Sequence, residues 1–305
     1  MMYMFVCRIV TCSHDSSYNS SLIQHKSTPL KFERILCTAP RQYYDRLASC
    51  VVRHGGRPVW IPGIEISDLC STEAIKERTM LIDKFSSAKY LVLPSKNAIY
   101  SCLDMCHGSV DDLQKLLHGF EIWAMGADAD FLNSLGIDNV RKPEISSTSG
   151  IVKAMRQEYG SNITETCLVF APEVVGPLTE PPVVPNFLRG LRNIGLEPVR
   201  VPAYETRIGP DVTTQGSPEI DMLVHGHVAA IAFTSTAESE GLMHIVGRQN
   251  LLDSIHKYGI LVAAHGPTTA QGVQNVLGQQ VDCVSKDSAT FDGMITAISE
   301  KLAVK

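Results

Sequence analysis

The sequence lacks the signatures of several common protein classes. No apolar run approaches the ~18–20 residues that a membrane-spanning helix needs, and the longest candidates, Val228–Phe233 and Ile260–Ala264, are of strand length. The nucleotide-binding patterns Gly-x-Gly-x-x-Gly and Gly-x-x-x-x-Gly-Lys-Ser/Thr are absent. So are the Gly-x-Ser-x-Gly turn of α/β hydrolases and the His-Glu-x-x-His of zinc hydrolases. We therefore expect neither a membrane protein nor an enzyme of these classes.

The chain also lacks a surplus of positive charge. It has 27 Lys and Arg against 32 Asp and Glu, a formal net charge of −5. A nucleic-acid-binding surface requires a basic face, so we expect no nucleic-acid partner. An anionic ligand would have to be bound by local donors, because the overall field does not attract it.

Paired cysteines are missing as well. The chain has nine cysteines, an odd number, and none forms a Cys-x-x-Cys pair. This usage argues against a disulfide framework and indicates a reducing compartment. Cys102 and Cys106 lie four residues apart beside His107. A metal pair is one interpretation, but no second ligand pair has matching spacing, so two core cysteines are favoured. We expect no metal site.

Acidic residues are scarce at the N-terminus. In residues 1–32, Asp15 is the only acid, against Arg8, Lys26 and Lys31, and six residues are Ser. Such a segment is typical of an organelle transit segment. A disordered tail or a wrongly assigned start codon is the alternative.

What the sequence does contain is an internal repeat. Three pairs of positions share an offset of 140 residues, namely Pro62 with Pro202, Ser95 with Ser235, and Gly126 with Gly266. Self-similarity of this kind indicates that one structural unit occurs twice.

Each half alternates short apolar strands with amphipathic stretches such as Tyr43–Gly55 and Phe187–Gly195. This alternation is typical of βαβ units and parallel sheets. The strand runs lack strict alternation, as expected when helices cover both faces. The sequence therefore predicts two doubly wound α/β domains. If the Pro62 and Pro202 segments pair as a connector, the domains are interleaved; otherwise they are sequential.

Four segments resemble the uroporphyrinogen-III synthase family in order, spacing and duplication. They are Leu93-Pro-Ser95-Lys-Asn97-Ala98, the Tyr204-Glu-Thr206 strand, Phe233-Thr-Ser235 and Gly266-Pro-Thr268-Thr269-Ala270. The resemblance covers about Phe32 to Leu302 and implies two α/β domains joined by a two-stranded connector. It thus favours interleaved boundaries, with one domain formed by residues 33–62 plus 204–305, the second by 66–200, and the connector by 62–66 and 200–204.

The resemblance also implies a function. The family's lyases cyclise hydroxymethylbilane, a flexible chain of four pyrroles with two carboxylates on each, into uroporphyrinogen III. The last pyrrole is inverted, and no cofactor is needed. We expect a monomer with this small molecule as its partner. If the leader is a transit segment, the protein is expected in the plastid; otherwise it is expected in the cytoplasm.

Three turns that follow strands and open helices are candidate substrate-binding sites. Backbone N–H groups are free at helix N-termini, where anions are favoured, although the same hydroxyl residues also suit helix caps. Arg41 follows the first strand and is expected either at the cleft or in solvent. The candidates are Arg41, Pro94, Ser95, Asn97, Thr234, Ser235, Gly266, Thr268 and Thr269.

Tyr204 is the candidate catalytic residue. At the repeat offset of 140 residues it corresponds to Ile64, so the second half of the chain has a hydroxyl where the first half has an apolar residue. A phenol with a reference pKa near 10 stays protonated at neutral pH and can donate a proton to the departing hydroxyl. The alternative is a strand tyrosine that only packs.

Two departures from the family pattern favour another interpretation. The first-half loop at Gly126 has Asp128 and no Thr, and residues 172–188 have no basic residue but include Glu173 and Glu180. The alternative function is that of a non-catalytic, divergent paralogue that binds a tetrapyrrole or a protein partner.

Overall fold

The computed structural model describes residues 29–160, 164–209, 217–287 and 290–305. The predicted transit segment over residues 1–32 falls outside these ranges, except for its last four residues.

The elements alternate along the chain as predicted. The strands are β1 (Arg34–Cys37), β2 (Arg57–Trp60), β3 (Ile64–Asp68), β4 (Tyr90–Leu93), β5 (Glu121–Ala124), β6 (Val140–Arg141), β7 (Thr166–Val174), β8 (Glu197–Ile208), β9 (Ala230–Phe233), β10 (Leu261–Ala264) and β11 (Cys283–Val284). The helices are α1 (Arg41–Arg53), α2 (Thr72–Met80), α3 (Ile82–Phe85), α4 (Lys96–Met105), α5 (Val110–Leu117), α6 (Gly126–Ser134), α7 (Thr148–Tyr159), α8 (Val183–Asn193), α9 (Pro218–Val224), α10 (Thr236–Val246), α11 (Arg248–Tyr258), α12 (Pro267–Leu277) and α13 (Asp292–Ala303).

The strands form two sheets. The first has the order β11-β10-β9-β1-β2, and all its pairs are parallel. The second has the order β3-β8-β7-β4-β5-β6 and is parallel except at its edge, where β3 runs antiparallel to β8. The predicted α/β class with two parallel-rich sheets is confirmed.

Helices cover both faces of each sheet. Along β9, Ile231 and Phe233 join the core on one face of the first sheet, whereas Ala230 and Ala232 join the core on the other. Likewise Leu91 and Val92 of β4 belong to two separate cores in the second sheet. Because both faces of β4 and β9 are buried, these two strands carry no charged residue, which explains their missing alternation.

Serine residues begin many of the helices. In each of the following cases the Ser hydroxyl accepts a hydrogen bond from the backbone N–H three residues later, which satisfies one of the free donors of the first turn. These N-caps are Ser71, Ser95, Ser109, Ser147 and Ser217. Ser235 begins α10 without such a bond, and this exception matters for the site.

The two repeats differ where the chain passes between the sheets. In the first copy, the segment breaks at Pro62 and Gly63, so that β2 lies in the first sheet and β3 in the second. In the second copy, β8 continues through Pro202 to Ile208 with only a register shift in its pairing with β7. Its C-terminal half, Tyr204 to Ile208, pairs antiparallel with Ile64 to Asp68. The domain boundaries given above stay a prediction.

Helix α10 packs tightly against this passage. The Cα of Gly241 lies so close to Gly63 that an added Cβ would be 1.7 Å from the Gly63 carbonyl oxygen. The same oxygen accepts a hydrogen bond from the backbone N–H of Gly209 at 3.0 Å. A small core formed by Ile64, Leu178 and Ala237 joins the passage, the loop after β7 and α10. The contacts hold the first lobe, which contains the first sheet, against the second.

The structure also places the cysteines and describes the character of the helices. Cys102 and Cys106 are buried in the second-lobe core, which supports their interpretation as core residues. In the described ranges, the cysteines are free thiols. Among the helices that the structure describes, none has both the length and the apolar character needed to cross a bilayer.

Candidate functional site

Both sheets have a topological switch point, which is a pair of neighbouring strands whose following connections run to opposite sides of the sheet. In the first sheet it lies between β1 and β9, and in the second between β4 and β7. Open α/β sheets bind ligands outside the carboxyl ends of the strands at such points. Thr38 follows β1 and Thr234 follows β9, while Ser95 follows β4. Two of the predicted hydroxyl turns thus lie at the two switch points.

A cavity of about 360 Å³ opens at the first switch point. We call it the Glu238 cavity. It is lined by Pro40, Tyr43, Arg46, Ile64, Ile66, Thr234, Ser235, Glu238, His265 and Phe291. The residues come from both lobes, because Ile64 and Ile66 belong to β3 of the second sheet.

Glu238 is the most deeply buried charged residue of this cavity, with 1% of its surface exposed. Its Oε2 accepts a hydrogen bond from the Thr234 backbone N–H at 2.8 Å and lies 2.7 Å from the Thr38 hydroxyl, which is also 3.0 Å from the Ala232 carbonyl oxygen. Its Oε1 accepts hydrogen bonds from the hydroxyls of Ser235, at 3.1 Å, and of Thr234. The Thr234 backbone N–H can only donate, whereas the three hydroxyls donate to Glu238 when its carboxyl group is ionised.

Burial raises the pKa of Glu238 above its ordinary value, and the hydrogen bonds from Thr234, Thr38 and Ser235 offset part of that rise. Desolvation disfavours the charged form, whereas donors to the carboxylate favour it. The hydroxyl and backbone donors thus compensate in part for the burial of the Glu238 carboxyl group.

A second cavity, of about 400 Å³, lies beside the second switch point. We call it the Tyr204 cavity. It is lined by Gln42, Ile66, Ser67, Asp68, Leu69, Arg78, Asn97, Tyr100, Ser101, Asp104, Ala203 and Tyr204. The Tyr204 hydroxyl lies 3.4 Å from the Ser95 hydroxyl, and Ser95 also accepts from the Ala98 N–H at 3.3 Å.

Burial is the main cause that raises the pKa of the Tyr204 phenol, and nearby Tyr43 and Asp128 add to the rise. The hydrogen bond with Ser95 acts in the opposite direction. The pKa of Asp128 is itself raised by burial, against the effect of Lys96. Tyr204 is thus held in its protonated form, the form that can donate a proton.

The two cavities are neighbours. Ile66 lines both of them, and the first turn of α1 contributes Gln42 to one and Tyr43 to the other. The Gln42 side-chain amide donates to the Ile66 carbonyl at 2.9 Å, which fixes α1 to β3 at the junction. A ligand longer than one cavity could therefore contact both.

Each cavity has one arginine. Arg46 lines the Glu238 cavity, with its guanidinium 5.5 Å from the Phe291 ring centroid. Arg78 lines the Tyr204 cavity and donates to the Ser101 hydroxyl at 3.2 Å. Guanidinium groups suit carboxylate ligands because they offer several donors in one plane. Asp68 and Asp104 line the same cavity as Arg78, so the guanidinium is the cavity's group suited to a carboxylate ligand, whereas the two acids are not.

The structure does not bring all predicted site residues together. Ser95 contacts Tyr204, and Asn97 lines the Tyr204 cavity. Thr234 and Ser235 line the Glu238 cavity. Four others lie outside both linings: Arg41 and Thr268 are exposed, Pro94 is partly buried, and Gly266 is buried at the start of α12.

Thr269 also lies outside both linings but remains close to them. Its hydroxyl reaches the Thr234 carbonyl oxygen at 3.5 Å, so the turn before α12 is joined to the turn before α10.

The acidic loop after β7 is explained by one cation. Arg200 on β8 pairs with Glu173 at 3.1 Å and with Glu180 at 2.7 Å, and it also donates to the Pro172 carbonyl. The negative charges of Glu173 and Glu180 are thus partly neutralised by a cation on the neighbouring strand.

Comparison with known proteins identifies the family. The family described as uroporphyrinogen-III synthase HemD (HEM4) matches residues 45–296, most of the chain. The chain belongs to the uroporphyrinogen-III synthase family.

Individual members of the family are distant relatives. A candidate uroporphyrinogen-III synthase of Methanothermobacter thermautotrophicus is 27% identical over 86% of this chain and 96% of its own length. A porphyrin biosynthesis protein HemD of Ruminiclostridium josui is 25% identical over 89% of this chain, which spans 49% of that longer protein. A crystal structure of a mutant uroporphyrinogen III synthase from Thermus thermophilus superposes with a TM-score of 0.57 at 14% identity, covering 90% of this chain and 100% of that one. At this identity the superposition shows the fold alone.

Sequence reasoning missed several cavity residues of this uroporphyrinogen-III synthase family member. Glu238 is the chief one, and a signal for it existed: it lies three residues after Ser235, the spacing of a helix capping box. Arg46 and Arg78 belong to no motif, so only the fold places them at the cavities. Tyr43 was interpreted only as the start of a helical stretch.

Proposed function

We propose that this protein is a working uroporphyrinogen-III synthase, a hydro-lyase that closes hydroxymethylbilane with inversion of the last pyrrole. The observation that carries the proposal is the pair of adjoining cavities at the two switch points, with Tyr204 in one and a second hydroxyl turn in the other. The family assignment supplies the substrate and the reaction class.

The physical task of such an enzyme is to impose a geometry. In water the bilane closes without inversion, so the protein must fix where the last pyrrole lies when the ring forms. Cavities of about 360 and 400 Å³ fall within the size range of small-molecule sites. We propose that the bilane extends across both cavities past Ile66, and that this restriction of its conformations is the main catalytic contribution.

In this proposal, Arg46 and Arg78 bind the carboxylates of the substrate. The protein has a net charge of −5, so these local guanidinium groups must attract the substrate. The predicted carboxylate sites Pro94, Gly266, Thr268 and Arg41 remain proposals. Their turns lie at the same ends of the strands as the cavities but outside the linings.

Tyr204 is the proposed proton donor to the departing hydroxyl. Its phenol is partly buried, lines the cavity and lies near the Ser95 hydroxyl. Because the raised pKa keeps the proton on the phenol, Tyr204 can assist loss of water without a metal or cofactor as the acid. A positioned acid typically contributes a factor of ~10²–10⁴ in rate.

The experiment that tests the proposal uses protein without residues 1–28 and freshly prepared hydroxymethylbilane. After oxidation, chromatography separates porphyrin isomers I and III. The proposal predicts isomer III at a rate far above the protein-free reaction. If only isomer I accumulates, at the protein-free rate, the alternative of a non-catalytic paralogue replaces it.

Three further expectations stay proposals. One is function as a monomer. The interleaved division into 33–62 plus 204–305 and 66–200 agrees with membership of β2 and β3 in different sheets. The leader composition supports a plastid transit segment, and fusion of residues 1–32 to a fluorescent protein would reveal whether it directs import.

A further inference from the structure

The serine hydroxyls of the two copies of the same turn make different hydrogen bonds. At the repeat offset of 140, Ser235 corresponds to Ser95, and Glu238 corresponds to Ala98. Ser95 caps its helix by accepting a hydrogen bond from the Ala98 N–H. Ser235 makes no such cap, and its hydroxyl instead donates to the Glu238 carboxylate at 3.1 Å. The glutamate therefore redirects the hydroxyl proton of this turn.

Thr234 is oriented in the same way. Its hydroxyl and its backbone N–H both donate to Glu238, and the buried Thr38 hydroxyl donates to Glu238 from the neighbouring strand end. A hydroxyl has one proton and two lone pairs. When Glu238 is ionised, Thr234 and Ser235 direct their protons at it, and they can then only accept hydrogen bonds from a ligand in the cavity that they line.

This orientation reverses the sequence-based expectation for these two residues. A carboxylate is an acceptor and would meet lone pairs and a buried negative charge, which is unfavourable. A bilane has another kind of polar group, the pyrrole N–H, which is a donor. The substrate carboxylates at this cavity are then bound by Arg46, on α1.

We propose that Thr234 and Ser235, oriented by Glu238, form an acceptor site for pyrrole N–H groups of the substrate, and that Glu238 is the positioning residue of this site. The inference rests on the proposed synthase function and names the part of the substrate that the Glu238 cavity recognises. The first copy of the repeat has Ala98 at the corresponding position in the second lobe, so the acceptor site is specific to the first lobe.

The test uses uroporphyrinogen III made from ¹⁵N-labelled porphobilinogen, bound under anaerobic conditions to wild-type protein and to the variants Glu238→Gln and Ser235→Ala. Proton–nitrogen NMR reports each pyrrole N–H separately. The inference predicts that at least one N–H proton shifts downfield on binding to wild-type protein. That shift should shrink in both variants. In Glu238→Gln the new amide donates to a hydroxyl and turns its proton toward the cavity, and Ser235→Ala removes one accepting hydroxyl altogether.

Kinetics gives a second readout. We expect kcat/KM to fall about tenfold in Ser235→Ala, with an unchanged dependence on salt, since this substitution changes no charge and an N–H contact involves no charged pair. Arg46→Gln should instead weaken the salt dependence. Circular dichroism and thermal unfolding verify that each variant is folded, and Ser235→Ala leaves Glu238 in place if Glu238→Gln does not fold.

The outcomes separate the two proposals. Normal isomer III formation with N–H shifts that are absent, or unchanged in both variants, overturns the acceptor site and leaves the synthase proposal standing. If wild-type protein neither forms isomer III nor binds the labelled product, the proposed function fails and this inference fails with it.

Discussion

The hydroxyl oxygens of Tyr204 and Ser95 lie 3.4 Å apart, although 109 residues separate them in the chain. Tyr204 belongs to the half of β8 that pairs with β3, and Ser95 begins α4 at the switch point of the second sheet. The contact brings the strand that crosses between the lobes to the place where a ligand is expected. It also gives the phenol a fixed neighbour, so its orientation does not depend on the substrate alone.

The two arginines should control substrate affinity more than chemistry. We expect Arg46→Gln and Arg78→Gln each to raise KM about tenfold with little change in kcat, because a charged hydrogen bond to a remote carboxylate holds substrate and transition state alike. Steady-state kinetics with hydroxymethylbilane measures both constants. Arg192→Gln, on the exposed last turn of α8, is the matched control. A fall in kcat with unchanged KM would remove these residues from the assigned role.

Gly241 is expected to tolerate no side chain. An added Cβ would lie 1.7 Å from the Gly63 carbonyl oxygen, and relief of such a clash requires movement of backbone. We predict that Gly241→Ala lowers the free energy of unfolding by about 1–3 kcal/mol, as measured by urea denaturation.

Gly190→Ala is the control for this prediction. Gly190 also lies within a helix, but the atoms nearest to its added Cβ belong to the Val152 side chain, at 3.0 Å and beyond, and not to backbone. Its stability should stay within about 1 kcal/mol of wild type. Equal effects of the two substitutions would contradict the close approach of α10 to Gly63.

Glu238 should make stability depend on pH in a definite direction. Burial raises its pKa in the folded protein, so the folded state holds this proton at pH values where the unfolded chain has released it. The free energy of unfolding therefore falls as pH rises from the usual carboxyl pKa of about 4.3 through the raised value. Arg46, Tyr43 and His265 face the same cavity.

The Glu238→Gln variant isolates this effect, because Gln does not titrate while the other groups remain. Urea denaturation of both proteins at a series of pH values from about 4 upward should show wild type losing stability relative to Glu238→Gln as pH rises. A difference in the free energy of unfolding that stays constant across the series, or changes in the opposite direction, would contradict the raised pKa.

The repeat explains why much of the fold could be predicted. Ser95 and Ser235 share an offset that places both at the end of a strand and the start of a helix, and the structure has them at the first residue before α4 and α10. Pattern and spacing are sufficient here because the same strand, turn and helix occur twice.

The site was less predictable for physical reasons. Residue type does not reveal the direction of a hydroxyl proton: Ser95 and Ser235 look alike in sequence, and only Glu238 at a position where the other copy has Ala98 distinguishes them. Arg78 reaches its cavity through the packing of α2, which no local motif encodes. Arg200 lies about 20 to 30 residues from the acids that it pairs with, so the loop appeared unpaired in sequence.

The rate of isomer III formation by Tyr204→Phe is the most direct test of the account. The variant keeps the ring that packs against the second-lobe core and removes only the hydroxyl. Tyr258→Phe, on α11 away from both cavities, is the control.

The account predicts that kcat for isomer III falls about 100-fold or more in Tyr204→Phe, that isomer I appears in its place, and that thermal unfolding is unchanged. A rate equal to that of wild type and Tyr258→Phe would contradict the assignment of Tyr204 as the proton donor.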